Sequence, residues 1–155
     1  MAKAPENRHL LIADAFVVEL NSVLGDWGVA TKATRKWTVQ YDLLALKDRQ
    51  IDVQAVTLES DTVDRGHVEN LYGINVTVQQ KLDPTNVAAI DELASLNAAI
   101  FLHWKKEDHV GELETVTLVE KTCLVYSPTL LDGDTRYFGM SAFVFSEIVT
   151  PEASP

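Results

Sequence analysis

The sequence predicts an α+β fold, in which an antiparallel or mixed β-sheet of about four to five strands carries two main α-helices. Two segments repeat apolar residues every three to four positions, which is typical of amphipathic helices. Other segments alternate apolar and polar residues, as half-buried strands do. The order is helix, strands, helix, strands, without the β-α repeat of a doubly wound parallel sheet.

The first helix is predicted by an apolar stripe close to the start of the chain. Its members are Leu10, Ala13, Val17, Leu20 and Leu24. Asn7 is a suitable N-cap and Gly25 a suitable end, and residues 26–28 are predicted to form a turn.

The middle of the chain predicts strands separated by polar loops. Residues 34–41 hold alternating aromatic and β-branched side chains, and residues 51–55 alternate again. Between them, residues 42–48 form a loop or a short turn of helix. The charged residues 59–67 are predicted to be a connecting loop. Residues 72–79 show the clearest alternation in the chain and predict a half-buried strand.

The second helix is predicted over residues 83–104, with Asp83 as N-cap and Pro84 at the first helical position. Val76 and Ile100 are expected to share the core between the sheet and this helix. A charged loop is predicted at residues 107–114. Two long strands then follow, residues 115–126 and 137–149, and they are joined by a turn at residues 127–135.

The length of 155 residues suits a single domain over the whole chain, with an ordered core of about residues 8–149 and flexible termini. Cys123 is the single cysteine, so no disulfide can form within one chain, and a buried thiol is expected. The polar first residues argue against a signal peptide, and no apolar run is long enough for a transmembrane helix.

The chain is acidic, with 13 Lys and Arg residues against 23 Asp and Glu residues, a formal net charge of −10. A general binder of nucleic acid or of anionic membranes would need the opposite balance. An acidic surface is instead one along which DNA could slide without being held.

No pattern of catalytic, cofactor-binding or metal-ligating residues stands out, so we expect a protein that is not an enzyme and binds no cofactor or metal. The four histidines lack ligand spacing. Asp61 and Asp64 lie in a polar segment, which gives paired carboxylates no burial to separate their pKa values. Residues 132–134 are better explained as a turn than as part of a calcium loop.

The last strand has apolar residues on both faces, and this makes it the candidate subunit interface. Phe138, Met140, Ala142, Val144 and Ile148 share one face. Tyr137, Phe143 and Phe145 lie on the other and are the candidate contacts with a second subunit, because aromatic residues are favoured anchors at interfaces. The alternative is that the strand is buried between two layers of the monomer.

Several short strings resemble small proteins encoded near the head–tail genes of tailed bacteriophages. The matching pieces are Tyr41-Asp42-Leu43, Leu46-Lys47-Asp48, Ile51-Asp52-Val53, Arg65, the strand of residues 72–82, the helix of residues 83–104, Pro128 and the strand of residues 137–148. The layout covers most of residues 8–149 and resembles the tail-completion or tail-terminator family.

The resemblance implies an α+β subunit of a ring, commonly hexameric, that caps the tail tube and joins it to the head. It implies three protein partners: further copies of the chain, the major tail tube protein and a head-completion or connector protein. DNA would only pass through the lumen, and no membrane is involved. The location implied is the virion tail or neck, and the host cytoplasm during assembly.

The chain departs from that family in lacking an obvious long loop that would insert into a neighbour, and residues 59–67 and 107–114 are the candidates. Two alternatives stay open: another phage tail-assembly protein, or a small cytosolic ligand-binding or enzymatic α+β domain.

Overall fold

The computed structural model describes residues 7–150 and has an α+β architecture. The expectation of flexible termini falls largely on residues 1–6 and 151–155, which lie outside the described part. The elements are, in chain order, α1 (Arg8–Asp26), β1 (Ala33–Arg35), a 3₁₀ turn (Ala45–Lys47), β2 (Gln50–Asp64), β3 (His67–Lys81), α2 (Val87–His103), β4 (His109–Val110), β5 (Leu113–Leu124), α3 (Pro128–Asp134) and β6 (Arg136–Val149).

The strands form a mixed sheet in the order β1-β2-β3-β6-β5-β4. β1 pairs with β2 in parallel, and every other neighbouring pair is antiparallel. The described residues thus form six strands rather than the four to five expected. The additional strand is β4, which at two residues is too short to show an alternation in the sequence, whereas β1 overlaps the start of the strand predicted at residues 34–41.

The first helix begins as predicted and ends later than predicted. The Asn7 side chain accepts a hydrogen bond from the backbone N–H of Leu10 at 3.2 Å, as an N-cap does. The helix passes Gly25 and ends at Asp26, with Trp27 as C-cap, and Gly28 follows with a left-handed φ of 75°. The N–H of Val29 then bonds to the carbonyl of Leu24 at 2.9 Å, which closes the helix end.

The second helix starts later than the sequence suggested. Its N-cap is Asn86, whose side chain accepts the N–H of Ala89 at 3.2 Å. Asp83 instead accepts hydrogen bonds from the backbone and hydroxyl of Thr85 and forms a turn before the helix. Val76 and Ile100 are both fully buried in one hydrophobic cluster, which confirms the expected shared core.

Three predicted connections are wrong because strands and a helix occupy them. Residues 59–67 are the outer half of β2 and its tight turn into β3, not a loop. The segment 107–114 contains β4, and 127–135 contains α3, capped by Ser127. Conversely, only the start of residues 34–41 is a strand, and the rest crosses the sheet as an irregular segment.

Candidate interaction surfaces

The three aromatic residues expected at a subunit contact are buried inside the chain, so that expectation is wrong. Tyr137, Phe143 and Phe145 have no exposed surface. The ring of Phe143 lies 5.3 Å from that of Phe16 in α1 and 5.5 Å from that of Trp104, centroid to centroid. These rings face the helices, and the alternative of a strand buried within the monomer holds for this side of β6.

Tyr137 shows that this side of β6 is closed to a partner. Its hydroxyl donates a hydrogen bond to the backbone carbonyl of Val125. Burial raises the pKa of the Tyr137 phenol, so the group stays neutral. Because the Tyr137 side chain is fully buried and its O–H is already donated, it is not accessible to a second chain.

The opposite side of β6 is the one that looks away from α1 and α2. Phe138, Met140, Ala142 and Val144 are half-buried, and Ile148 is 55% exposed. The two sets of β6 side chains lie on opposite faces of the sheet, as their alternation predicts. The aromatic set expected to contact a partner is the buried one, and the other set is the one that is partly exposed. Tyr137, Phe143 and Phe145 fill the deeper space against the helices, and the set of Phe138 and the four smaller apolar residues lies on the outer face.

A polypeptide strap, residues 36–44, covers one end of this outer face. Gln79 of β3 donates its side-chain amide to the Val39 carbonyl at 2.8 Å, and Gln54 of β2 donates to the Trp37 carbonyl at 2.9 Å. Arg136 donates to the Tyr41 carbonyl at 3.3 Å. Side chains of the sheet thus bond to the strap in place of the backbone hydrogen bonds that a neighbouring strand would make.

A buried polar cluster anchors the strap. The Tyr41 hydroxyl donates to Asp52 Oδ2 at 2.6 Å, and Lys36 Nζ donates to the Tyr41 oxygen at 2.7 Å. Asp52 Oδ1 accepts no hydrogen bond within residues 7–150 and faces Lys36 Nζ at 3.6 Å. The hydrogen bond to Tyr41, with the Asp52 charge, raises the pKa of Lys36, and burial raises the pKa of Tyr41. Both groups stay protonated at neutral pH, so neither is suited to act as a base.

Beyond the strap, the outer half of β2 pairs with β3 along one edge and is exposed on both faces. We call residues 56–64 the distal β2 segment. Val56, Leu58 and Val63 are 42%, 61% and 55% exposed. β1 pairs with β2 only over Ile51–Val53, so the outer edge of the distal segment has no strand beside it within the described part of the chain. Its charges made it resemble a loop in the sequence, whereas its Thr and Val residues were the available sign of a strand.

The candidate catalytic and metal-binding residues lie in separate parts of the structure. The four histidines contact separate partners: His9 the carbonyl of Gly73, His67 the carboxylate of Asp64, His103 that of Glu19, and His109 the carbonyl of Val116. Asp61 lies on the exposed distal β2 segment, and residues 132–134 belong to α3. Among residues 7–150, no group of three or more His, Cys, Asp or Glu is placed to hold a metal ion.

Shallow surface grooves are present instead of a deep cleft. One of about 500 Å³ lies between the start of α1 and the distal β2 segment, lined by Asn7, Arg8, His9, Leu58, Ser60, Asn70 and Tyr72. Another of about 510 Å³ lies where the strap meets α3 and β6. The first groove has no carboxylate among its lining residues, and its His9 and Tyr72 rings lie 5.6 Å apart, centroid to centroid.

No protein-family model matches this sequence, and no curated protein is similar to it. Within residues 7–150, none of the helices has the length and apolar character that spanning a bilayer requires.

Proposed function

We propose that this chain is a structural subunit of the head–tail junction of a tailed bacteriophage, a tail-completion or tail-terminator protein that assembles as a ring. The short strings shared with that family suggest it. The observation that carries it furthest is the one-sided sheet: α1 and α2 pack on one face, and the other face, beyond the strap, is open and carries carboxylates of β2, β3 and β5 beside the apolar residues of β6.

The open face is defined by register. Glu59 and Asp61 of β2 lie opposite Leu71 and Glu69 of β3, and Glu120 of β5 lies opposite Val144 of β6. These residues share the side of the sheet that faces away from the helices. Exposed carboxylates on such a face repel the phosphates of DNA and leave the duplex free to move. A ring that turned this face toward its lumen would pass DNA without binding it.

The proposed partners follow from this role: further copies of the chain, the major tail tube protein and a head-completion or connector protein. The protein would act in the virion neck, after assembly in the host cytoplasm. It would need no cofactor and would perform no catalysis.

Assembly with tail tubes tests the proposal. The purified chain would be mixed with tubes formed by the major tail protein encoded near its gene and examined by negative-stain electron microscopy. We expect ring-shaped densities that cap tube ends. Tubes that stay uncapped would contradict the proposal, and so would a gene with no tail or head gene near it.

A charge variant tests the lumen separately. Glu120→Lys on the open face should still cap tubes and should reduce infectious yield when the gene is complemented, because a cation in the lumen would hold DNA. Val18→Ser, at a 72% exposed position on α1, is the matched control and should complement normally. Equal yields from the two variants would contradict the placement of the open face.

A further inference from the structure

The β1–β2 edge of the sheet has two halves, and β1 covers β2 in only one of them. β1 lies beside β2 only at Ile51–Val53, so the sheet is wider by one strand at that end of β2. Past this point the distal β2 segment leaves a notch that is one strand deep. The notch is long enough for the projecting strand, because β1 with its flanking residues 32 and 36 spans five positions and the distal segment spans nine.

The two halves also carry opposite charge. Residues 30–36, which form β1 and its flanks, hold three cations and no acid, in a chain whose overall charge is −10. Residues 56–70 hold four acids and one arginine. Asp61 is eight residues beyond Val53, about 26 Å along the strand, so the acidic half cannot fold back on the basic half of its own chain. Arg35 and Lys36 already pair with Asp14 and Asp52 of their own chain, whereas Lys32 forms no ion pair within residues 7–150, so Lys32 is the cation that the acidic half of another molecule can complement.

From this pattern we infer that the β1–β2 edge is a docking surface for a second copy of the chain, arranged as a two-fold symmetric, antiparallel dimer. A half-turn about an axis perpendicular to the sheet places β1 of one copy in the notch of the other, and the reverse contact forms at the same time. β1 then runs antiparallel to the distal β2 segment, which suits backbone hydrogen bonding. The sheets join edge to edge.

The same rotation brings the charges together on one side of the sheet. Glu59 and Asp61 lie on the outer face of β2. Thr34 of β1 lies opposite Asp52, on that same face, and the alternation of a strand puts Lys32 there as well. Lys32 makes no ion pair within residues 7–150, and it meets the partner's acidic notch. Leu58, which is 61% exposed, loses water on the helix side of the same contact.

The other sheet edge does not provide this match. There β4 borders β5, and its surroundings contain Glu107, Asp108, Glu112 and Glu114. A head-to-tail arrangement would place this acidic end beside the acidic distal β2 segment, where like charges repel. Charge therefore favours pairing of the β1–β2 edge with itself. Acidic residues on an edge strand also discourage random pairing, and a basic partner strand is what overcomes that protection.

This inference does not rest on the proposed function, because only the edge and its charges carry it. A ring repeats one contact in one direction, whereas this edge pairs with itself. The dimer is thus the state of the free chain, and it would have to open if the same edge entered a ring.

Sedimentation of the full chain tests the inference. The unmodified protein should be a dimer at micromolar concentration, and 1 M NaCl should weaken it, because at that ionic strength charges are screened beyond about 3 Å. Reversing the notch charges with Glu59→Lys and Asp61→Lys should raise the dimer Kd by about tenfold or more. Lys32→Glu with Thr34→Glu on β1 should do the same.

Mixing the two variants is the decisive step. The first variant has a basic notch and a basic β1, and the second has an acidic notch and an acidic β1. Each repels itself, yet both contacts between them are attractive, so an equimolar mixture should dimerise. Circular dichroism melts would show that both variants remain folded, and the salt titration of the unmodified chain needs no variant at all.

A monomeric unmodified chain, a dimer insensitive to both salt and charge reversal, or two variants that stay monomeric when mixed would each overturn the inference. A ring that is unaffected by the variants would overturn it and support the proposed function. A salt-sensitive dimer that never caps tail tubes would support the inference and count against the proposed function.

Discussion

Phe143 on β6 stabilises the core through its contacts with neighbouring aromatic rings. It is fully buried, and its ring packs among those of Phe16, Trp104 and Phe145. We predict that Phe143→Ala lowers the free energy of unfolding by about 3–5 kcal/mol, because it removes apolar contacts and leaves a cavity. Urea unfolding followed by fluorescence would measure it.

The control for Phe143 is an aromatic residue outside the core. Tyr126 is 43% exposed, and Tyr126→Ala should cost less than about 1.5 kcal/mol. If both substitutions shifted the urea midpoint equally and slightly, Phe143 would not be a core residue and the interface role expected from the sequence would return.

Glu147 gives the stability a defined pH dependence. Arg8 Nε and Nη2 donate to its carboxylate at 3.0 and 2.6 Å, and Thr115 Oγ1 donates at 2.6 Å. The hydrogen bonds from Arg8 hold the pKa of Glu147 below its usual value of 4.5, with a smaller contribution from Thr115. Because the folded pKa is depressed, the stabilisation is present above pH 4.5 and is lost as pH falls through the folded pKa.

We therefore predict that Glu147→Gln destabilises the protein at pH 7, and that the difference from the unmodified chain shrinks once the pH falls below about 4. Urea unfolding of both proteins at several pH values would measure this. Glu114→Gln, at an exposed position on the neighbouring strand, is the control and should show no such trend. A difference that is constant with pH would mean that the Arg8–Glu147 pair does not stabilise the fold.

Among the elements, β6 depends on a glycine near its start. A Cβ at Gly139 would lie 2.7 Å from the Tyr137 hydroxyl, 2.8 Å from the Asn97 amide nitrogen and 2.9 Å from the Val125 carbonyl. All three atoms belong to a buried polar group that ties β6 to α2 and the end of β5. We predict that Gly139→Ala costs about 1–3 kcal/mol, because the crowding must displace these hydrogen bonds. Thermal melts would show it as a lower midpoint.

Gly25 is the matched control for that substitution. It lies inside the last turn of α1, and a Cβ there meets nothing within 4 Å. Gly25→Ala should be neutral or should stabilise the chain by up to about 1 kcal/mol, because alanine favours the helix more than glycine does. Destabilisation by both alanine variants to the same extent would show that Gly139 is not held by packing.

The elements also show where local pattern is insufficient. The helices and the strand at residues 72–79 were predictable because their stripes face one core. The distal β2 segment was not, since its charged residues resemble a loop until the pairing with β3 is known. The alternation of Trp37, Val39 and Tyr41 predicts a strand where the structure has the strap. The strap's backbone carbonyls accept hydrogen bonds from side chains and not from the backbone of a neighbouring strand.

At the scale of the whole molecule, charge is distributed unevenly. The net charge is −10, yet the segment 30–49 carries a surplus of cations. We predict that duplex DNA is not bound at physiological salt, because affinity for DNA comes largely from cationic contacts that release counterions. A gel-shift titration would measure it, with the Glu59→Lys and Asp61→Lys protein as the comparison. A salt-sensitive, sub-micromolar complex with the unmodified chain would contradict the prediction.

The sequence by itself determined the α+β class, the two main helices, their shared core with the sheet and the absence of an intramolecular disulfide. Each of these depends on the spacing of apolar residues or on composition, which are local properties. Only the tertiary structure decided which face of β6 the helices cover, where the short edge strands lie and which edge of β2 stays open. Those features depend on pairing between residues far apart in the chain, and a strand with apolar residues on both sides cannot specify by its own pattern which side is inner.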